Sequence, residues 1–92
     1  MSQAFLILGA SRGIGFNVAQ RLVADGHRVM MCGRDEVTLQ RAAESLQQPS
    51  QVCDARDWEQ TKETVVSTSQ LFEGLDGAVN CAGPVSTTPT RR

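Results

Sequence analysis

The chain has 92 residues, 40% of them hydrophobic and 21% charged, with a formal net charge of −1. That length allows one small domain, burying roughly 60–65% of the surface its unfolded chain exposes. With no basic excess to neutralise phosphate, the balance argues against a nucleic-acid or membrane-surface protein.

No stretch reaches the ~18 apolar residues of a membrane span. The first apolar run is short, lacks a basic segment ahead of it and breaks into glycines, so it does not read as a signal peptide. The expected compartment is the cytosol. Three cysteines, Cys32, Cys53 and Cys81, are widely spaced without a C-x-x-C pair, and His27 is the only histidine. No zinc or other metal site is expected, and the thiols read as small buried hydrophobes in a reducing compartment. Each cysteine falls near the end of an expected strand, so two on neighbouring strands could lie close together.

Ala4 to Leu8 is an unbroken apolar run, the mark of a strand buried on both faces. From Gly13 to Ala24 the pattern turns helical, with Ile14, Val18, Leu22 and Val23 near i, i+4, i+8 spacing, and Asp25-Gly26 ends it. Arg28 to Cys32 reads as a second strand. The second helix runs from about Asp35 to Gln48, with Leu39, Ala42, Ala43 and Leu46 inward and Asp35 as N-cap or first-turn acid. Gln51 to Cys53 is a short third strand. The third helix is expected from Asp57 to Phe72, with Trp58, Thr61, Val65, Ser69 and Phe72 on its inner face. A fourth strand follows from about Gly77 to Cys81. Residues 84–92 hold two prolines and no apolar periodicity, and read as a frayed tail after a domain spanning 1–83.

Strands alternating with helices of this length imply an α/β fold with parallel strands and right-handed crossovers. The expected spatial order is third, second, first, fourth, one half of a doubly wound sheet that reverses direction between the first and fourth strands. Ligands bind such sheets outside the carboxyl ends of the strands, at that reversal. There the chain places Gly9, Gly13 and Gly15, in "GASRGIG". A helix N-terminus carries unpaired amides and partial positive charge, and a glycine turn lets an anion approach without striking a Cβ. Gly9 then serves the tight exit from the strand, Gly13 the approach of a pyrophosphate, and Gly15 the packing of helix on sheet.

With this spacing the sequence resembles the short-chain dehydrogenase/reductase family, whose fingerprint after the first strand is TGxxxGIG, here with Leu8 in place of the threonine. "CDARD" resembles the family's acidic motif after the third strand, and "NCAG" resembles its NNAG after the fourth, with Cys81 replacing the second asparagine. The resemblance implies a partial Rossmann-type fold and a nicotinamide cofactor held by the turn residues Gly9, Ala10, Ser11, Arg12, Gly13, Ile14 and Gly15. It further implies that Asp54 and its neighbour Ala55 meet the adenine, and that Asn80, Ala82 and Gly83 line the cofactor.

A carboxylate at the end of the second strand would bind the ribose hydroxyls of NAD and repel a 2′-phosphate. In this chain Gly33 occupies that position and Arg34 follows, with Arg12 as a second cation in the turn. In the family such a pair grips the 2′-phosphate of NADP, to which a guanidinium fork is geometrically suited. NADP(H) is therefore the expected cofactor. The family's catalytic tyrosine and lysine lie beyond the NNAG segment. This chain contains no tyrosine, and its one lysine, Lys62, falls in the third helix. No catalytic residue is expected within it, and the chain alone should be inactive. Two readings stand: the NADP-binding portion of a carbonyl- or alcohol-specific oxidoreductase, and a stand-alone nucleotide-binding or regulatory module. The "GAVNC" strand should form an exposed sheet edge that invites self-association.

Overall fold

A computed structural model of the chain describes residues 2–82. Gly83 and the expected tail at 84–92 lie outside the described residues. The elements are β1 (Ala4–Leu8), α1 (Gly13–Ala24), β2 (Arg28–Gly33), α2 (Glu36–Leu46), β3 (Ser50–Val52), α3 (Trp58–Phe72) and β4 (Gly77–Asn80). All pairings are parallel and the sheet order is β3-β2-β1-β4, as the alternation of elements predicts. Leu8 stands opposite Cys32 on one side and Asn80 on the other. The carboxyl ends of the three strands therefore finish level, and the chain reversal falls between β1 and β4.

The apolar run of β1 divides between the two faces of the sheet, because successive side chains point oppositely. Ile7, with Val29 and Met31 of β2, packs under Ala19 of α1 and Leu39, Ala42 and Ala43 of α2. Ala4, Leu6 and Leu8, with Met30 and Cys32, pack beneath Phe72 of α3. Fully burying a side chain such as Leu6 or Ile7 contributes about 1.5–3 kcal/mol. Two helices thus cover one face and a single helix the other. Among the described residues, no helix is long and apolar enough to cross a membrane.

The helix ends follow their capping chemistry. The Asp35 carboxylate accepts from the backbone N–H groups of Val37 and Thr38, and the Asp57 carboxylate from those of Glu59 and Gln60. Both aspartates are N-caps, so each helix begins one residue later than the periodicity places it. Gln47 takes a left-handed backbone (φ 58°) and stops α2 at Leu46, short of Gln48. β3 starts at Ser50 and ends at Val52, although the Cys53 N–H still donates to the Gly33 carbonyl at 2.9 Å.

The inner face of α3 differs from expectation. Thr64, Thr68 and Phe72 are buried, whereas Trp58 is 69% and Val65 is 36% exposed. Threonine matches valine in shape, and β3 supplies the polar partner that makes its burial favourable. The Thr64 hydroxyl donates to the Gln60 carbonyl (2.8 Å) and accepts from Gln51 Nε2 (3.2 Å), while the Ser67 hydroxyl donates to Gln51 Oε1 (2.9 Å). This link turns the threonine stripe inward and the valines outward. On α1 the tight face is likewise made of small residues, Gly15 and Ala19, and Ile14 is 74% exposed.

Candidate cofactor cleft

The turn after β1 is anchored to β2: the N–H groups of Gly9 and Ala10 both donate to the Cys32 carbonyl, at 2.9 and 2.8 Å. Gly9 and Gly13 both lie in the left-handed region, at φ 76° and 63°. The three glycines nevertheless meet different surroundings. A Cβ on Gly9 would lie 2.6 Å from Ala82 Cα, so the segment after β4 crosses directly over the turn. A Cβ on Gly15 would collide with the Gly9 carbonyl oxygen, so this glycine seats α1 on the turn. A Cβ on Gly13 would meet nothing within 4 Å. Two glycines serve protein packing, and Gly13 faces open space.

The neighbouring turn residues line an open cleft of about 930 Å³ across the carboxyl ends of all four strands. From the β1 turn come Gly9, Ser11 and Arg12, and from the end of β2 come Gly33, Arg34 and Asp35. Asp54, Ala55 and Arg56 follow β3, and Asn80, Cys81 and Ala82 follow β4. The cleft therefore gathers eight of the expected site residues: Gly9, Ser11, Arg12, Arg34, Asp54, Ala55, Asn80 and Ala82. Ala10 is fully buried and Gly15 is buried, both supporting the turn from behind. Gly13 and Ile14 begin α1 on its exposed side. Gly83 lies outside the described residues. The cleft adds Gly33, Asp35, Cys53, Arg56 and Cys81, none of which was expected to hold the cofactor. Cys81 carried a signal as part of the NCAG segment, and Arg56 as the second charge of the acidic motif.

Helix α1 differs from the other two helices at its start. Arg12 occupies the N-cap position with extended backbone and makes no side-chain cap bond. The first-turn amides of α1 are thus left for an external acceptor, at the positive end of the helix dipole. Of the charged residues in the cleft, Asp54 and Arg56 pair with each other at 3.1 Å. Neither Arg12 nor Arg34 makes a salt bridge among the described residues. The Thr38 hydroxyl, at 3.0 Å, and the Thr38 and Val37 amides hold the Asp35 carboxyl below the usual range, with a smaller contribution from Arg12. Hydrogen bonds from the Arg56 side chain and backbone do the same for Asp54, aided by the charges of Arg56 and Arg34. Burial, with a smaller contribution from Cys53, pushes the Cys32 thiol up to about 12. Cys32 on β2 and Cys53 just after β3 belong to the same buried cluster, and Cys32 is protonated at neutral pH. Among the described residues no group of three or more His, Cys, Asp or Glu could hold a metal.

A glycine turn on an uncapped helix, at the reversal point of a parallel sheet, is an anion-binding arrangement. The sequence profile of the family described as short chain dehydrogenase matches residues 3–92. The chain belongs to the short-chain dehydrogenase family. A tropinone reductase homolog of Arabidopsis thaliana is 34% identical over 91 residues, which cover 92% of this chain and 34% of that protein. A putative ketoacyl reductase of the granaticin polyketide synthase from Streptomyces violaceoruber is 36% identical over 83 residues, covering 85% of this chain and 30% of its own. Among solved short-chain dehydrogenase folds, a variant of actinorhodin polyketide ketoreductase with NADPH superposes with a TM-score of 0.85 at 31% identity. That match covers 90% of this chain and 34% of the ketoreductase. The chain spans about a third of the length of these relatives.

Proposed function

We propose that this chain is the NADP(H)-binding portion of a short-chain dehydrogenase/reductase-type oxidoreductase acting on a carbonyl or alcohol substrate. The observation that carries the reading is the uncapped N-terminus of α1 at an open Gly13, beside a cleft lined by Arg12 and Arg34. The amides of the α1 first turn hold the pyrophosphate. The two guanidinium groups, which lack carboxylate partners among the described residues, hold the 2′-phosphate. Beside them the Asp35 carboxylate is held in the cap of α2 by the Val37 and Thr38 amides. When bound, the nicotinamide supplies or accepts the hydride. The chain's own residues bind and orient the cofactor but offer no group to move the substrate's proton. There is no tyrosine, and Lys62 lies within α3. The 92-residue chain alone is accordingly inactive toward carbonyls, and the β4 edge, unpaired among the described residues, favours its self-association. Its free thiols suit the cytosol.

Titration of the chain with NADPH and with NADH tests the assignment. A charge-assisted hydrogen bond to the extra phosphate is worth roughly ten- to a hundredfold in affinity, and NADPH binds tighter by that factor. Arg34→Asp removes attraction and adds repulsion, so the preference inverts. Equal affinities of the parent chain for both dinucleotides would refute the NADP assignment.

A further inference from the structure

Among the described residues, the charged groups lining the cleft are Arg12, Arg34, Asp35, Asp54 and Arg56, and they are unevenly paired. Asp54 Oδ1 accepts from the Arg56 backbone N–H at 2.9 Å and from Arg56 Nε at 3.2 Å, and Asp54 Oδ2 accepts from Arg56 Nη2 at 3.1 Å. A two-pronged grip of this kind is the strongest way a guanidinium holds a carboxylate. Asp35 is held instead by neutral donors, the Val37 and Thr38 amides and the Thr38 hydroxyl. Among the described residues, Asp54 is therefore the one cleft carboxylate with a cation bound to it.

The strand ladder shows what lies beside that carboxylate. Gly33 stands opposite Val52, and the Cys53 N–H donates to the Gly33 carbonyl at 2.9 Å. Arg34 and Asp54 thus leave neighbouring strands side by side, with the Arg34 charge near enough to favour the ionised form of Asp54. The Asp54 backbone is tied down there: its N–H donates to Gln60 Oε1 (3.0 Å), and Gln60 Nε2 donates to the Asp57 cap carboxylate (3.1 Å). An unoccupied carboxylate at this place would take the Arg34 guanidinium as its partner. Yet Arg34 makes no salt bridge among the described residues. We propose that Arg56 is a positioning residue for cofactor selection: by occupying the Asp54 carboxylate it keeps the Arg34 guanidinium free for a 2′-phosphate. The inference rests on the NADP reading above. The Arg56 side chain is 76% exposed, and a pair so exposed adds little to stability. Its effect lies in the choice of partner it leaves to Arg34. Adenine, pyrophosphate and nicotinamide are common to NADPH and NADH, so the ratio of their affinities reports the 2′-phosphate alone.

The test is a fluorescence or calorimetric titration of the chain and its variants with NADPH and with NADH at one ionic strength. Arg56→Gln leaves Asp54 to pair with Arg34, and the preference for NADPH falls roughly two- to fivefold, the weight of an exposed ion pair. Arg56→Lys, which keeps the charge without the fork, restores part of it. Asp54→Asn added to Arg56→Gln also restores the preference, because no carboxylate then remains to hold Arg34. In an Arg34→Gln background, Arg56→Gln no longer changes the ratio, which a general loss of positive charge or of structure would not give. If the parent prefers NADPH but Arg56→Gln leaves the ratio unchanged, or lowers it equally in the Arg34→Gln background, this inference is overturned and the NADP reading survives. If the parent binds both dinucleotides equally, both fail together.

Discussion

The three glycines of the turn separate into two kinds, and single substitutions distinguish them. Gly15→Ala places a methyl group against the Gly9 carbonyl oxygen, which is backbone and cannot rotate aside as a side chain would. Overpacking of this sort costs about 1–3 kcal/mol. In a domain of this size each kcal/mol lowers the melting temperature by about 4–8 °C. At Gly13 an added Cβ meets no neighbour within 4 Å, so the main structural cost of Gly13→Val is the left-handed backbone at φ 63°, about 1–2 kcal/mol. Its branched side chain instead fills the space through which a phosphate would reach the first-turn amides of α1. The expected pattern is therefore crossed: Gly15→Ala loses more stability for the volume added, and Gly13→Val loses cofactor binding for little loss of fold. Far-UV circular dichroism during urea unfolding reads the first effect and NADPH titration of the folded variant reads the second. A Gly13→Val chain that binds NADPH like the parent would refute the division, as would a Gly15→Ala chain with an unchanged midpoint.

Thr68 is fully buried and its hydroxyl finds no partner among the described residues, so Thr68→Val, nearly identical in shape, is expected to stabilise the chain by about 1–3 kcal/mol in urea unfolding. Stability also depends on pH at both ends. The folded pKa of Asp35 is lowered, first by the Thr38 hydroxyl, so its contribution is present above the ordinary carboxyl value and is lost as pH falls through the folded one. Asp35→Asn, which keeps a capping oxygen, flattens that acid limb. The folded pKa of Cys32 is raised by burial from 9.0 to about 12, so its contribution is full below pH 9 and is lost as pH rises toward 12. Cys32→Ala flattens this alkaline limb, and pH-dependent urea midpoints measure both.

The strand order was legible because three strand–helix alternations admit few right-handed arrangements, and the glycine turn located the cleft. Hydropathy misplaced the inner face of α3. It ranks threonine with polar residues, while the burial of Thr64 depends on Gln51, a partner 13 positions away in the chain that only the fold brings near. The reach of Gly9 toward Ala82 was hidden for the same reason: the contact joins two turns more than 70 residues apart. Arg56 escaped notice because a motif names the acid and not the group that aims it. Asp54 and Arg56 stand two residues apart, and only coordinates show three hydrogen bonds between them.

The central claim is that the uncapped start of α1 receives the pyrophosphate of a dinucleotide. The most direct measurement is a titration of the ¹⁵N-labelled chain with NADPH, following each backbone amide by nuclear magnetic resonance. The account predicts that the largest shifts fall on Gly13, Ile14 and Gly15, with smaller ones at Arg34 and Asp54 and almost none at the far end of the sheet near Ala4 and Gly77. Saturable shifts centred on another surface, with the amides of residues 13–15 unmoved, would contradict it.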